Sequence, residues 1–392
     1  MARSWATAPL RAAGVAACAA TLLLFSASPG RGLRAQSGAR TPAERDNALP
    51  PIRHVFVIVL ENKSYAKTFG PGSEAPYLAD TLVKAGALLR QYYGIGHSSL
   101  DNYIAMISGQ APNPETQADC GRYTEFVQEG TAPDGQAVGH GCVYPAHVLT
   151  VANQLAHAKR TWKAYMEDMG NDTTRESRTC GHARIGEADM TERGQAGGAG
   201  HPLDQYAAKH NPFVYFHAII DSVSCRHNVV PLTRLRADLR SAATTPNLVF
   251  VSPNLCHDGH DAHCVSGEPG GLPAVNGFLR RWVPIIRRAP AFRRGVLIVT
   301  FDEAEYVDAS ACCDEQPGPN VKAAGVHGPG GGRTGAVLLS PFIRPGTVSD
   351  VPYNHYSMLR SIEDIFGLPY LGYAGRKGLR PFGADVFTRA GK

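Results

Sequence analysis

Two uninterrupted apolar runs dominate the hydropathy pattern of the chain, and each of them ends on acid. Residues 55–60, VFVIVL, stop at Glu61 and Asn62, and residues 295–301, GVLIVTF, stop at Asp302 and Glu303. Runs of β-branched residues with no polar alternation predict strands buried on both faces, as at the centre of a parallel sheet. Such strands deliver the residues that follow them to the carboxyl edge, where open α/β sheets gather ligands and catalytic groups. If the two strands are neighbours, Glu61, Asp302 and Glu303 bring up to three negative charges together, a cluster that a cation would neutralise. The bland alternative is a pair of solvent-exposed acidic loops.

Further apolar stretches predict strands over 87–93, 213–220, 247–252 and 335–340. Helical periodicity predicts helices over 77–85, 148–169, 232–241, 276–288 with a kink at Pro284, and 356–366. This alternation implies an α/β fold: an open, doubly wound, mostly parallel sheet flanked by helices. Residues 111–200 are polar and glycine-rich and carry three of the cysteines. They predict a disulfide-containing cap or lid inserted in a domain spanning 52–375, with 376–392 as a tail. Residues 94–110, GIGHSSLDNYIAMISGQ, read as a glycine-rich loop turning into a helix whose first-turn amides suit a phosphate oxygen. Ser99, at that turn, is a candidate nucleophile.

The amino terminus changes the picture of where the chain works. Arg3 and Arg11 precede an apolar core at 15–25 and a small-residue stretch, so 1–35 reads as a signal peptide and processing region and 36–51 as a flexible lead-in. The apolar core falls short of the roughly 20 residues that span a bilayer, and stable membrane insertion is not expected. The chain has nine cysteines. Setting aside Cys18 in the leader, the even remainder favours disulfides in an oxidising, exported setting, secreted or associated with the cell envelope. Cys120 with Cys142 and Cys256 with Cys264 would close compact loops, and adjacent Cys312 and Cys313 pair either with each other or with distant partners. A four-cysteine zinc site is disfavoured by the absence of CxxC spacing. The formal charge of +5 over 392 residues is modest, and no basic block interleaved with aromatics points to nucleic acid.

One loop concentrates chemistry. After the strand at 247–252, PNLCHDGHDAHC packs His257, Asp258, His260, Asp261 and His263 between two cysteines. Imidazoles and carboxylates so mixed can bind metal, donate protons or hold phosphate, although clustered histidines also occur as plain polar filling. His355 stands before the 356–366 helix, where it either caps the helix or faces the same edge as Glu61 and Asp302.

Taken together, ENKSY, GHSSLDNY, NLCHDGHD, TFDEAE and YNHYSMLRSIEDIFGLP resemble the phosphoesterase family of secreted acid phosphatases and phosphatidylcholine-type phospholipases C, within the alkaline phosphatase-like superfamily. The resemblance covers roughly 52–373. It implies Glu61, Asn62, Ser99, Asp302 and Glu303 as metal ligands, with Ser99 as the metal-bound nucleophile. Asn102, His257 and Asp261 are implied around the phosphoryl group, and His260 or His355 as the proton donor to the leaving alcohol. The second motif departs from the commoner HPSxPNY form, with Ser98 and Asp101 at the proline positions, while Ser99 keeps the motif serine and its spacing to Asn102. The long carboxyl-terminal extension of the larger phospholipase C members has no counterpart here.

The expected activity is therefore metal-dependent hydrolysis of phosphate monoesters through a phosphoserine. Phosphodiester or phospholipase C chemistry, and a non-catalytic exported metal- or phosphate-binding protein, stand as alternatives. An apolar rim in 111–200 would favour the lipid reading. Oxygen-rich ligands favour a single Ca²⁺, Mg²⁺ or Mn²⁺ over Zn²⁺.

Overall fold

The computed structural model describes residues 49–388; the expected leader and most of the lead-in lie outside the described residues. His54–Leu60 forms strand β1, buried along its whole length. Its side chains alternate between two cores. Val55, Val57 and Val59 pack in one, and Phe56, Ile58 and Leu60 in the other. Burying each such side chain contributes about 1.5–3 kcal/mol, so both faces tie the strand to the centre of the sheet.

The other strands of the sheet are Ala87–Leu89 (β2), Trp162–Met166 (β3), Val229–Pro231 (β4), Leu248–Ser252 (β5), Gly295–Phe301 (β6), Ala336–Leu339 (β7) and Thr347–Ser349 (β8). Their spatial order is β8-β2-β7-β6-β1-β5-β3-β4. β1 runs parallel to β5 and β6, β3 to β4 and β5, and β8 to β2, while β7 alone is antiparallel to its neighbours β6 and β2. The fold is thus α/β with a mixed, mostly parallel sheet. Leu60 pairs with Phe301 at the carboxyl end of β1 and β6, which sets Glu61 beside Asp302 as the apolar runs imply.

Helices Ser99–Ser108 (α1), Val151–His157 (α2) and His355–Phe366 (α4) contribute Leu100, Leu155 and Met358 to the first core, and Gly271–Arg288 (α3) contributes Val275, Phe278 and Val283 to the second. Helices therefore cover both faces of the sheet. Among the described residues the cysteines form four pairs: Cys120–Cys142, Cys180–Cys225, Cys256–Cys264 and Cys312–Cys313.

Three expected elements fold differently. The helix expected over 148–169 ends at His157; Lys159 takes a left-handed φ of 56° and the chain turns into β3. Residues 111–200 consequently supply a strand of the central sheet as well as the outlying hairpin Val127–Thr131/Ala137–His140. The strand expected over 213–220 is instead a pair of helical turns, Pro212–Tyr215 and His217–Ile220. Pro212 sits at the start of the first turn, where a missing N–H costs nothing, and Phe213 is held by stacking on Trp162 and an edge contact with Phe250. The expected strand over 87–93 is broken into Ala87–Leu89 and Tyr92–Tyr93.

One helix carries a buried acid outside the site. Glu363 of α4 is buried, accepts from the Leu371 N–H at 2.9 Å and leaves Oε2 without a partner. Burial pushes its carboxyl up to about 8, against the opposing hydrogen bond from the Leu371 N–H. A carboxyl raised in the folded state binds more protons folded than unfolded. Its stabilising contribution is complete below its ordinary 4.5 and is lost as pH rises to about 8. We expect Glu363→Gln to remove a stability slope of up to about 1.4 kcal/mol per pH unit in that window. Urea midpoints of parent and variant at pH 5 and pH 8 read it out, and parallel shifts of both proteins would refute it.

Candidate active site

The carboxyl ends of β1, β5 and β6 meet the start of α1. Ser99 is buried as the first residue of α1, and its hydroxyl donates to Glu61 Oε2 at 2.8 Å. Ser98, by contrast, donates to the Gln117 carbonyl at 2.7 Å. The backbone at Ser98 has a φ of 122°, a strained value for a residue with a side chain. This kink turns consecutive serines to different partners, and only Ser99 faces the acid at the end of β1.

The other oxygen of Glu61 faces a group that sequence reasoning missed. Glu61 Oε1 lies 3.3 Å from His210 Nε2, and His210 Nδ1 lies 3.1 Å from Asp258 Oδ2. All three residues are buried, and their ligand atoms lie within 4.8 Å of one another. Neither contact has hydrogen-bond geometry: Glu61 Oε1, Asp258 Oδ2 and both His210 nitrogens lack partners, as does Asp302 Oδ2. Burial pushes His210 down to about 4 and Asp258 up to about 7. Burial also raises Glu61, with Asp258 adding repulsion, and raises Asp302, with Glu61 and Glu303 adding to it. Buried acids that repel one another and aim unpartnered oxygens at a neutral imidazole fit a divalent cation.

His210 lies in the short turn Ala208–His210, and Tyr103 of α1 stacks on its ring at 5.3 Å. The only sequence signal was a histidine in AKHN, with no strand or helix pattern around it. Next to it, Lys209 pairs with Asp119 at 3.0 Å, and although burial works against its charge, Asp119 and Glu61 hold its pKa above the ordinary lysine range.

The remaining expected residues divide. Asn62, at a left-handed φ of 57°, donates its side-chain amide to Glu61 Oε2 at 3.1 Å and its backbone N–H to Asp302 Oδ1 at 3.1 Å. Glu303 is not with the cluster; its Oε2 accepts from the Ser98 N–H at 3.0 Å and sits 3.1 Å from His97 Nδ1. Asn102, expected at the phosphoryl group, is bonded to the loop before Ser99. Its carbonyl accepts from the Ile95 and Gly96 N–H groups and its amide donates to Gly96 and Ser98 carbonyls, so it braces the loop before Ser99. The first-turn amides of α1 are partly taken as well, since Asp119 accepts from Leu100 N–H at 3.0 Å.

The histidines separate similarly. Both nitrogens of His355, expected as a proton donor, are engaged, on the Tyr92 hydroxyl at 3.0 Å and on the Asp302 carbonyl. His257 is held by Glu167 at 2.9 Å and Glu268 at 3.5 Å. His257 and Glu268 also come close to Cys256, but that sulfur is bonded to Cys264 and offers no thiolate. Of the expected proton donors, His260 and His355, His260 keeps a free edge. Asp261 accepts from its Nδ1 at 2.8 Å, and no hydrogen bond among the described residues uses Nε2. Burial alone would lower His260, but Asp261, Asp258 and Glu61 together raise it.

A family model described as Phosphoesterase family matches residues 71–369, most of the chain. The chain belongs to the phosphoesterase family. It is 25% identical to a phosphatidylinositol-3-phosphatase of Mycobacterium tuberculosis, over 84% of this chain and 81% of the relative. It is 27% identical to a phosphate-repressible acid phosphatase of Penicillium chrysogenum, over 85% of this chain and 66% of the relative. A probable acid phosphatase of Kluyveromyces lactis is 23% identical, with 59% of its length spanned. Among solved structures, an alkaline phosphatase superfamily protein from Vibrio parahaemolyticus aligns over 86% of this chain and 72% of its own at a TM-score of 0.46 and 13% identity. Family membership and the buried metal-ligand cluster are consistent with metal-dependent hydrolysis of a phosphate ester.

Proposed function

We propose that the protein hydrolyses phosphate monoesters by attack of Ser99 on phosphorus, with a divalent cation held by Glu61, His210 and Asp258 and with Asp302 beside them. The observation that carries this reading is the Ser99 hydroxyl 2.8 Å from Glu61 while the far oxygen of Glu61 has no partner. When bound, the ion would lower the pKa of the serine and offset phosphoryl charge. Glu61 Oε2 orients the Ser99 hydroxyl and takes its proton as the oxygen attacks phosphorus in line; the ester P–O bond breaks, leaving a phosphoserine that water then cleaves. Lys209 adds fixed positive charge, and His260, steadied through Nδ1 by Asp261, holds the proton at Nε2 for the departing alcohol. His210 brings a nitrogen into an otherwise oxygen-rich set. That suits Mn²⁺ among the hard and intermediate ions and widens the choice towards Zn²⁺.

The test is turnover of p-nitrophenyl phosphate by the protein as purified, after chelation and after reloading with each ion. Loss and metal-specific return support the reading; unchanged turnover after complete metal removal overturns it. The role of His260 has its own signature. Nitrophenolate leaves without a proton, whereas an alkoxide needs one. His260→Ala should slow an alkyl phosphate by about 10²–10⁴-fold and p-nitrophenyl phosphate far less. Equal losses on both would remove His260 from that role.

A second reading, that the phosphate is lipid-borne, has one structural support. Tyr306 and Val307 are 56% and 95% exposed on the loop after β6, and Tyr306 makes an edge contact with His97. This apolar pair lies beside the Ser98 loop and outside residues 111–200, the stretch in which an apolar rim was the condition for the lipid reading; there Val127 and Met190 are exposed. The phosphatidylinositol-3-phosphatase relative agrees with this reading. Comparing a soluble monoester, a soluble diester and phosphoinositide vesicles separates the readings. We also place the protein in an oxidising compartment outside the cytoplasm, a proposal supported by its four disulfides.

A further inference from the structure

The motif GHSSLDNY ends on a residue that the proposed chemistry does not use. Tyr103 stands four residues after Ser99 in α1, one helical turn along, so the two side chains share a face of the helix. On that face Ser99 donates to Glu61 Oε2 at 2.8 Å, and Tyr103 enters the same cluster one turn further on. It is fully buried, and its ring stacks on that of His210 with centroids 5.3 Å apart and planes 9° from parallel. Phe250 of β5 meets the same ring at 6.3 Å.

The Tyr103 hydroxyl is turned towards the acids. Burial, with Glu61, Asp302 and Asp258 adding to it, holds the phenol well above the ordinary tyrosine range, and the approach of Glu61 to the hydroxyl contributes. No group completes a hydrogen bond with that hydroxyl, and Glu61 Oε1 likewise has no partner. Oε2 of the same carboxylate already receives the Ser99 hydroxyl and the Asn62 amide. A carboxylate oxygen has two lone pairs, so Oε1 can accept one phenolic proton and still offer a pair to an ion. Hydrogen bonds to ligating carboxylates fix their direction and sustain metal affinity.

We propose that Tyr103 is a positioning residue of the metal centre, its ring fixing the plane of His210 and its hydroxyl holding Glu61 Oε1 towards the ion. Two successive turns of α1 then serve the two oxygens of Glu61, the nucleophile on one and the phenol on the other. The inference rests on the metal-dependent reading for the place of the ion.

The test titrates Mn²⁺, and separately Zn²⁺, into the full chain stripped of metal, so that binding is read and not turnover. Tyr103→Phe keeps the ring and removes only the hydroxyl; it should bind the ion about 10–100-fold more weakly than the parent. Thermal unfolding of the metal-free proteins separates this from a structural role. The variant loses a hydroxyl that has no partner, so its metal-free midpoint should equal or exceed that of the parent. An unchanged Kd, or a weaker Kd with a lower metal-free midpoint, overturns the assignment. Tyr103→Leu, which loses the stack as well, should bind more weakly still, and a Kd equal to that of Tyr103→Phe takes the ring out of the role. Metal binding that depends on Tyr103, with no ester turnover by the wild-type protein, would retain this inference and discard the catalytic reading. Metal-dependent turnover with an unchanged Kd in Tyr103→Phe would do the reverse, and a parent that binds neither ion contradicts both.

Discussion

Ser99→Ala is expected to abolish phosphate monoester turnover, by at least about 10⁴-fold, and to leave the thermal unfolding midpoint nearly unchanged. The size follows from what the residue supplies. Removing the attacking oxygen removes the covalent route altogether, and the remaining groups only hold the phosphate for slow attack by water. The small structural effect follows from the surroundings: Ser99 contributes one hydrogen bond, to Glu61, while the loop before it is braced by Asn102 through its contacts to residues 95, 96 and 98. Ser98→Ala serves as the paired comparison. Its hydroxyl is committed to the Gln117 carbonyl, so this variant should retain turnover within about tenfold, the worth of one ordinary hydrogen bond. A reversal of the two phenotypes would reassign the nucleophile.

Glu61→Gln is expected to abolish binding of a divalent ion and to lower turnover by more than about 100-fold, since even groups behind a metal ligand cost about 10–100-fold in affinity. Glu61 joins both halves of the site: Oε2 receives the Ser99 hydroxyl and Oε1 faces His210 and, through it, Asp258. The substitution is nearly isosteric, and it relieves the repulsion that Asp258 and Asp302 impose on a fully buried carboxylate. Stability of the metal-free protein should therefore rise while its metal content falls. Metal analysis of purified parent and variant alongside chemical denaturation in chelator checks both halves. A variant with full metal occupancy would place the ion elsewhere.

The acidic strand ends were legible because a long apolar run with no alternation has few readings other than a central strand, and the residue after such a strand must emerge at the sheet edge. Glu61 and Asp302 needed only that argument, together with the pairing of Leu60 with Phe301. Pattern could not separate Asp302 from Glu303. Adjacent carboxyls leave the chain in different directions, and the loop at His97 and Ser98 captures the second one. His210 was illegible for a different reason. It sits in an irregular turn, and the contact that fixes its ring comes from Tyr103, more than a hundred residues earlier in the chain. Residues 213–220 misled because aromatic and β-branched runs read as strand, whereas packing of Phe213 against Trp162 and Phe250 is satisfied by helical turns after Pro212. Likewise His355 was visible before its helix, but only the Tyr92 and Asp302 contacts reveal that its nitrogens face inward.

The account turns on covalent chemistry at Ser99 supported by the ion at Glu61, His210 and Asp258. The most direct measurement is acid quenching of the metal-loaded protein during turnover of a phosphate monoester, followed by peptide mass spectrometry. A phosphoryl group on the peptide containing Ser99, absent in Ser99→Ala and absent when the metal has been removed beforehand, is the predicted result. Turnover at full rate with no phosphorylated Ser99 peptide at any time point, or phosphorylation confined to Ser98 or a histidine, would contradict it.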